Sequence, residues 1–138
     1  MWISFKKSCP APEHISIEGK MLERVMEFKL LGVSVPNDLK WNAHVSDIVT
    51  RANKRMYYLR VCRKANLPKD IGLTTFLTKI RPLLEYASPI WGGLPTYLEE
   101  DLQRVQNRCL NIIGLPRNTV DSLATIEGII QRVNNLNA

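Results

Sequence analysis

The stretch Ile80-Arg81-Pro82-Leu83-Leu84-Glu85-Tyr86-Ala87-Ser88-Pro89-Ile90-Trp91-Gly92-Gly93-Leu94-Pro95 decides how the chain is read. It continues an apolar series, Leu73, Phe76, Leu77, Ile80, Leu84, Ala87 and Trp91, which recurs at the three- and four-residue steps of one helix face. Pro82 and Pro89 fall inside that series, where a proline removes a backbone donor and kinks or ends a helix. A stripe carried across two prolines and stopped at Gly92-Gly93 predicts a bent helix packed against several neighbours, at the centre of the core. Glu85 reads as a structural carboxylate, one helical turn from Arg81.

Working outward, Thr96 followed by Glu99 has the form of a capping box. The helix it opens carries Leu98, Leu102, Val105, Cys109, Ile112 and Ile113 and stops at Gly114-Leu115-Pro116. Asn118 or Thr119 starts a last helical region with Leu123, Ile126, Ile130 and Val133. On the other side, Val45, Ile48, Val49, Ala52, Met56 and Leu59 form the stripe of a helix running from about Asn42 to Asn66-Leu67-Pro68. Arg51, Lys54 and Arg55 fall opposite that stripe, Arg63 falls on its line, and Tyr57 and Tyr58 read as packing residues at its margin.

The first forty residues change to strand patterning. Trp2, Ile3 and Phe5 suggest an edge strand, and Lys6 to Glu13 a loop. Ile15-Ser16-Ile17, the turn signal Glu18-Gly19 and Met21 to Val25 make a hairpin. Phe28 to Val35 reads as one strand ending before Pro36. The predicted fold is α+β and mostly α: short N-terminal antiparallel strands with a hairpin over residues 1–38, then four to five bundled helices over residues 39–138. So small a sheet needs a second layer, either these helices or the rest of a larger sheet.

The 138 residues are 45% hydrophobic and 23% charged, which suits one ordinary globular core. No apolar run reaches the roughly eighteen residues of a membrane span, and Met1 to Lys7 lacks a signal-peptide pattern, so the expectation is an intracellular protein with no membrane partner. Cys9, Cys62 and Cys109 are too scattered for a disulfide framework or a zinc site and read as reduced thiols. His14 and His44 are isolated and read as surface or capping residues. The carboxylates are dispersed, and there is no glycine-rich phosphate loop, so no catalytic residue and no metal or cofactor site is expected.

Charge is the stronger signal. Of a net +6, the segment from Ile48 to Lys69 holds Arg51, Lys54, Arg55, Arg60, Arg63, Lys64 and Lys69 without an Asp or Glu. Cations along one helix can contact successive phosphates, so the first six are candidate nucleic-acid contacts. The alternative is a solvated helix face whose cations lack acidic mates.

Two stretches resemble a known family. Phe28-Lys29-Leu30-Leu31-Gly32-Val33, then Leu39, Trp41 and His44, are similar to the F-K-Y-L-G-V … L-x-W-x-x-H segment of non-LTR (LINE-type, Jockey-like) retrotransposon reverse transcriptases. Arg81-Pro82, Glu85-Tyr86-Ala87 and Trp91 resemble their R-P-x-L-E-Y-A-x-x-x-W signature, and Leu102, Val105-Gln106 and Arg108 their L-E-x-V-Q-x-R helix, with Gln103 where Glu is usual. The resemblance implies a primer-grip-like hairpin carrying Phe28, Leu31 and Gly32 at the palm edge, followed by a thumb gripping the RNA or DNA template–primer duplex. Arg81, Pro82, Glu85, Tyr86 and Trp91 would be its structural motif. The adjacent aspartates that hold the Mg2+ ions of these polymerases have no counterpart here, so on the resemblance the palm and fingers lie before Met1 and the chain alone is not a polymerase. A chain parted from its palm would expose apolar surface, expected at Trp2, Phe5, Phe28 and Trp41, and self-associate. The alternative functional reading is a helical protein-interaction module, or the remnant of a decayed mobile element with no function.

Overall fold

The computed structural model describes residues 12–91 and 93–123, with Ile3 and Pro10. The predicted edge strand at Trp2 and Phe5, and the expectations for Ile126, Ile130 and Val133, lie outside the described residues. The fold class is as predicted: two short antiparallel hairpins, then helices. The chain divides into two compact units, Met1–His44 and Val45–Ala138.

In the first unit, β1 (Ser16–Ile17) pairs with β2 (Lys20–Met21), and β3 (Glu27–Leu30) with β4 (Val33–Pro36). The single strand expected from Phe28 to Val35 is therefore a hairpin. Both two-residue turns have two positive φ angles, Glu18 at 51° with Gly19 at 76° and Leu31 at 49° with Gly32 at 82°. That is the type I′ pattern, whose twist matches the strands it joins. Periodicity missed the second turn because Leu31 is an unusual left-handed residue. His44 is not at the surface: it is 2% exposed, accepts a hydrogen bond from the Ser34 amide on Nδ1 at 3.4 Å, and meets the edge of Trp41.

The second unit is built on α1 (Asn42–Lys64), which enters it from the first. Val45, Ile48, Ala52, Met56 and Leu59 are buried along the predicted stripe. Asn66, at φ 51°, turns the chain out of α1, and the Leu67 amide closes back on the Cys62 carbonyl.

The bent helix expected along the Leu73–Trp91 stripe is instead three helices: α2 (Lys69–Lys79), α3 (Arg81–Glu85) and α4 (Ser88–Trp91). Each proline sits in the first turn of a new helix, where its missing N–H costs nothing, instead of kinking an old one. Ala87, at φ 55°, makes the second break. The role as core survives, since Phe76, Ile80, Leu84 and Trp91 are fully buried, although Leu77 is 40% exposed. The Trp91 indole N–H donates to the Tyr86 carbonyl at 2.9 Å across the break. Arg81 and Glu85 form the expected pair at 3.1 Å, and Arg81 also donates to the Ser122 carbonyl.

α5 (Thr96–Ile113) buries Leu98, Leu102, Val105, Cys109 and Leu110, and also Gln106, whose amide donates to the Asp121 carbonyl at 3.1 Å. No side chain caps it in the expected capping-box manner: Pro95 occupies the cap position, and its carbonyl takes the amides of Leu98 and Glu99. Leu67-Pro68, Leu94-Pro95 and Leu115-Pro116 repeat this device, each proline standing immediately before a helical turn. Gly114, at φ 83°, ends α5 as predicted. The helix expected from Asn118 is, among the described residues, only a 3-10 turn at Arg117–Thr119.

Candidate nucleic-acid interface

The six cations on α1 do not share one environment. Arg51 pairs with Asp47 at 2.9 Å, an acid one turn earlier that lies just outside the basic segment. Arg55 reaches α2 and donates to the Lys79 carbonyl at 2.6 Å. Arg63, on the apolar line, points at the C-terminus of α5, with its guanidinium 3.5 Å from the Ile112 carbonyl. Lys69 joins it there, donating to the Gly114 carbonyl at 2.8 Å. Since α5 has no basic residue in its own last turn, Arg63 and Lys69 supply the positive charge its dipole favours. Lys54, Arg60 and Lys64 are exposed and have no ion pair among the described residues.

Tyr57 and Tyr58 are 63% and 52% exposed and meet edge to face, with ring centroids 6.1 Å apart, so they are not margin packing. The signal was in the spacing: they lie about 100° and 200° around the helix from the buried Met56. With Val61 and Ile71 they border an apolar groove of about 430 Å³ between α1 and α2. A polar groove of about 470 Å³ follows the outer face of α5, lined by Gln103, Arg104, Asn107, Arg108, Asn111 and Arg117 among others. The sequence reading missed this face, although Gln103, Asn107 and Asn111 recur four residues apart.

At the hairpin, Phe28 and Leu31 are 52% and 81% exposed, with Gly32 beside them at the turn. In the signature segment, Pro82 and Tyr86 are exposed, Arg81 and Glu85 are half-buried and Trp91 is buried. Burial pushes the Cys109 thiol from 9.0 up to about 12, against a small opposing effect of the Arg108 charge, so it is an inert core filler. Among the described residues no cluster of His, Cys, Asp and Glu side chains could hold a metal ion. No described helix is long and apolar enough to cross a membrane. What this geometry can do is bind an anionic polymer or an apolar partner.

The comparisons with known proteins bear on origin, not on binding. The chain is similar to a protein of Drosophila melanogaster described as a probable RNA-directed DNA polymerase from transposon BS, at 25% identity over 112 residues. The match takes in 80% of this chain and 12% of that protein, so the chain corresponds to a small part of the relative's length. This supports a distant reverse-transcriptase-like relationship. A family model described as "Alkylated DNA repair protein alkB homolog 8, N-terminal" matches residues 41–80, the segment of α1 and α2. No solved structure matches.

Proposed function

We propose that the chain acts as a non-catalytic, nucleic-acid-gripping part of a transposon-type reverse transcriptase, with the β3–β4 hairpin as a primer-grip-like palm edge and the α1–α5 unit as a thumb-like region. The palm, fingers and Mg2+ chemistry belong to other parts of such a polymerase. The observation that carries the reading is α1: it follows a tight hairpin with an exposed tip and presents Lys54, Arg60 and Lys64 without acidic partners among the described residues. Cations so placed bind phosphates without reading sequence.

The structure also sharpens the expected strength. Arg51, Arg55 and Arg63 are engaged within the protein, which leaves three free cations of the six on α1. If α1 alone gripped B-form duplex, log affinity would fall against log salt with a slope of about −3, not the roughly −5 expected from six contacts. Fluorescence anisotropy of labelled RNA–DNA and DNA duplexes over a salt series measures that slope. No binding at low salt, or binding indifferent to salt, would overturn the reading.

A second reading is favoured by one specific observation. Ile17, Met21, Leu22, Met26, Phe28, Leu30 and Leu31 of the first unit are all more than half exposed. Such a surface supports self-association or a protein partner. Light scattering at rising protein concentration tests it: a constant monomer mass removes self-association.

A further inference from the structure

Resting on the nucleic-acid reading, we infer that the outer face of α5, not the outward face of α1, is the principal seat of the polynucleotide backbone. The α5 groove is lined by three arginines, Arg104, Arg108 and Arg117, three amide side chains, Gln103, Asn107 and Asn111, and one carboxylate, Glu100. None of these is apolar. Protein partners anchor mostly on tryptophan, tyrosine and arginine in well-packed pockets, and this groove offers no aromatic anchor. Phosphate and sugar oxygens are contacted by arginine, asparagine and glutamine, which is this lining.

The guanidinium groups are placed for exchange onto phosphate. Arg104 is held only by Asp101 at 2.7 Å, the arginine side chain 65% and the aspartate 43% exposed, so water screens the pair and it is weak. Arg108 donates to the side-chain amide oxygen (Oδ1) of Asn53 on α1 at 3.3 Å, which steadies the guanidinium over the seam between the two helices. Arg117 has no partner among the described residues. The amides stand four residues apart, at about 6 Å of rise per step, within reach of successive backbone oxygens. Seven and eleven residues beyond Asn53, on the same side of α1, come Arg60 and Lys64, which continue the positive track. The apolar groove beside Tyr57 and Tyr58 lacks this density of donors.

The test titrates labelled single-stranded and duplex oligonucleotides with the full chain across a salt series. Three proteins are compared: wild type, Arg104→Gln/Arg108→Gln/Arg117→Gln and Tyr57→Ala/Tyr58→Ala. The expected result is a triple variant whose salt slope is shallower by about three, with affinity down tenfold or more near about 100 mM salt, and a tyrosine variant whose slope is that of wild type. The near-isosteric pair Gln103→Glu/Asn107→Asp, with an unchanged melting temperature, should weaken binding in the same direction and removes misfolding as the explanation. A triple variant that titrates like a binding wild type overturns this placement and leaves the nucleic-acid reading on α1. A loss of slope confined to the tyrosine variant overturns it as well. A wild type that binds neither oligonucleotide at low salt overturns both readings, whereas a wild type that binds leaves the triple variant to decide the placement alone.

Discussion

Leu31 is one of five non-glycine residues held at positive φ among the described residues. Its φ of 49° is left-handed, a conformation costing a non-glycine side chain about 1 kcal/mol, and its side chain is 81% exposed. Asparagine tolerates this geometry far better, so Leu31→Asn should stabilise the hairpin by about 0.5–1 kcal/mol, measured as slower amide exchange at Leu30 and Val33. If the tip touches a primer strand, the same change lowers oligonucleotide affinity while it raises stability. Opposite signs in the two measurements separate a functional tip from a merely strained one. Cys109 gives a second test. Its acid ionises near 9.0 when exposed and near 12 when folded, so the unfolded chain gives up the proton first. Stability should therefore fall as pH rises from about 9 towards 12, by about 1.4 kcal/mol per pH unit attributable to this group. Cys109→Ala should lack that component in denaturant titrations at matched pH, and the native thiol should resist alkylation at neutral pH.

Among the elements, α5 depends on its neighbours for its C-terminus. Replacing Arg63 or Lys69 with Met should destabilise the second unit by about 0.5–1 kcal/mol each, and added salt should shrink the difference in melting temperature. The stripes of α1 and α5 and the glycine stop of α5 were legible, because a helix with one buried face writes its period into the sequence. The division of the Leu73–Trp91 stripe among α2, α3 and α4 was not. Proline excludes continuation of a helix but does not say whether the chain kinks or restarts, and the break at Ala87 rests on a positive φ that no residue type announces. The candidate site was half legible for a similar reason. Charge density marked α1 correctly as basic, but whether a cation is free depends on partners distant in sequence, such as Ile112 for Arg63 and Lys79 for Arg55. The exposed Tyr57–Tyr58 pair lay in the spacing and was misread, whereas the α5 face has modest charge and drew no notice.

For the whole molecule, two surface properties pull against each other. A net charge of +6 keeps copies apart and attracts polyanions, while the exposed side chains of the hairpins favour contact between copies. Salt acts on the two with opposite signs. Raising sodium sulfate should weaken oligonucleotide binding and increase the mass-average molecular weight in light scattering. If both properties moved together, one surface would be serving both ends.

The length of α1 sets a measure of its own. Between Lys54 and Lys64 the helix rises about 15 Å, while one strand of a B-form duplex advances about 3.4 Å per nucleotide. The free cations of α1 therefore span about four to five nucleotides. An oligonucleotide already seated on α5 should therefore gain affinity over about four to five further nucleotides as it extends along α1, and little beyond that.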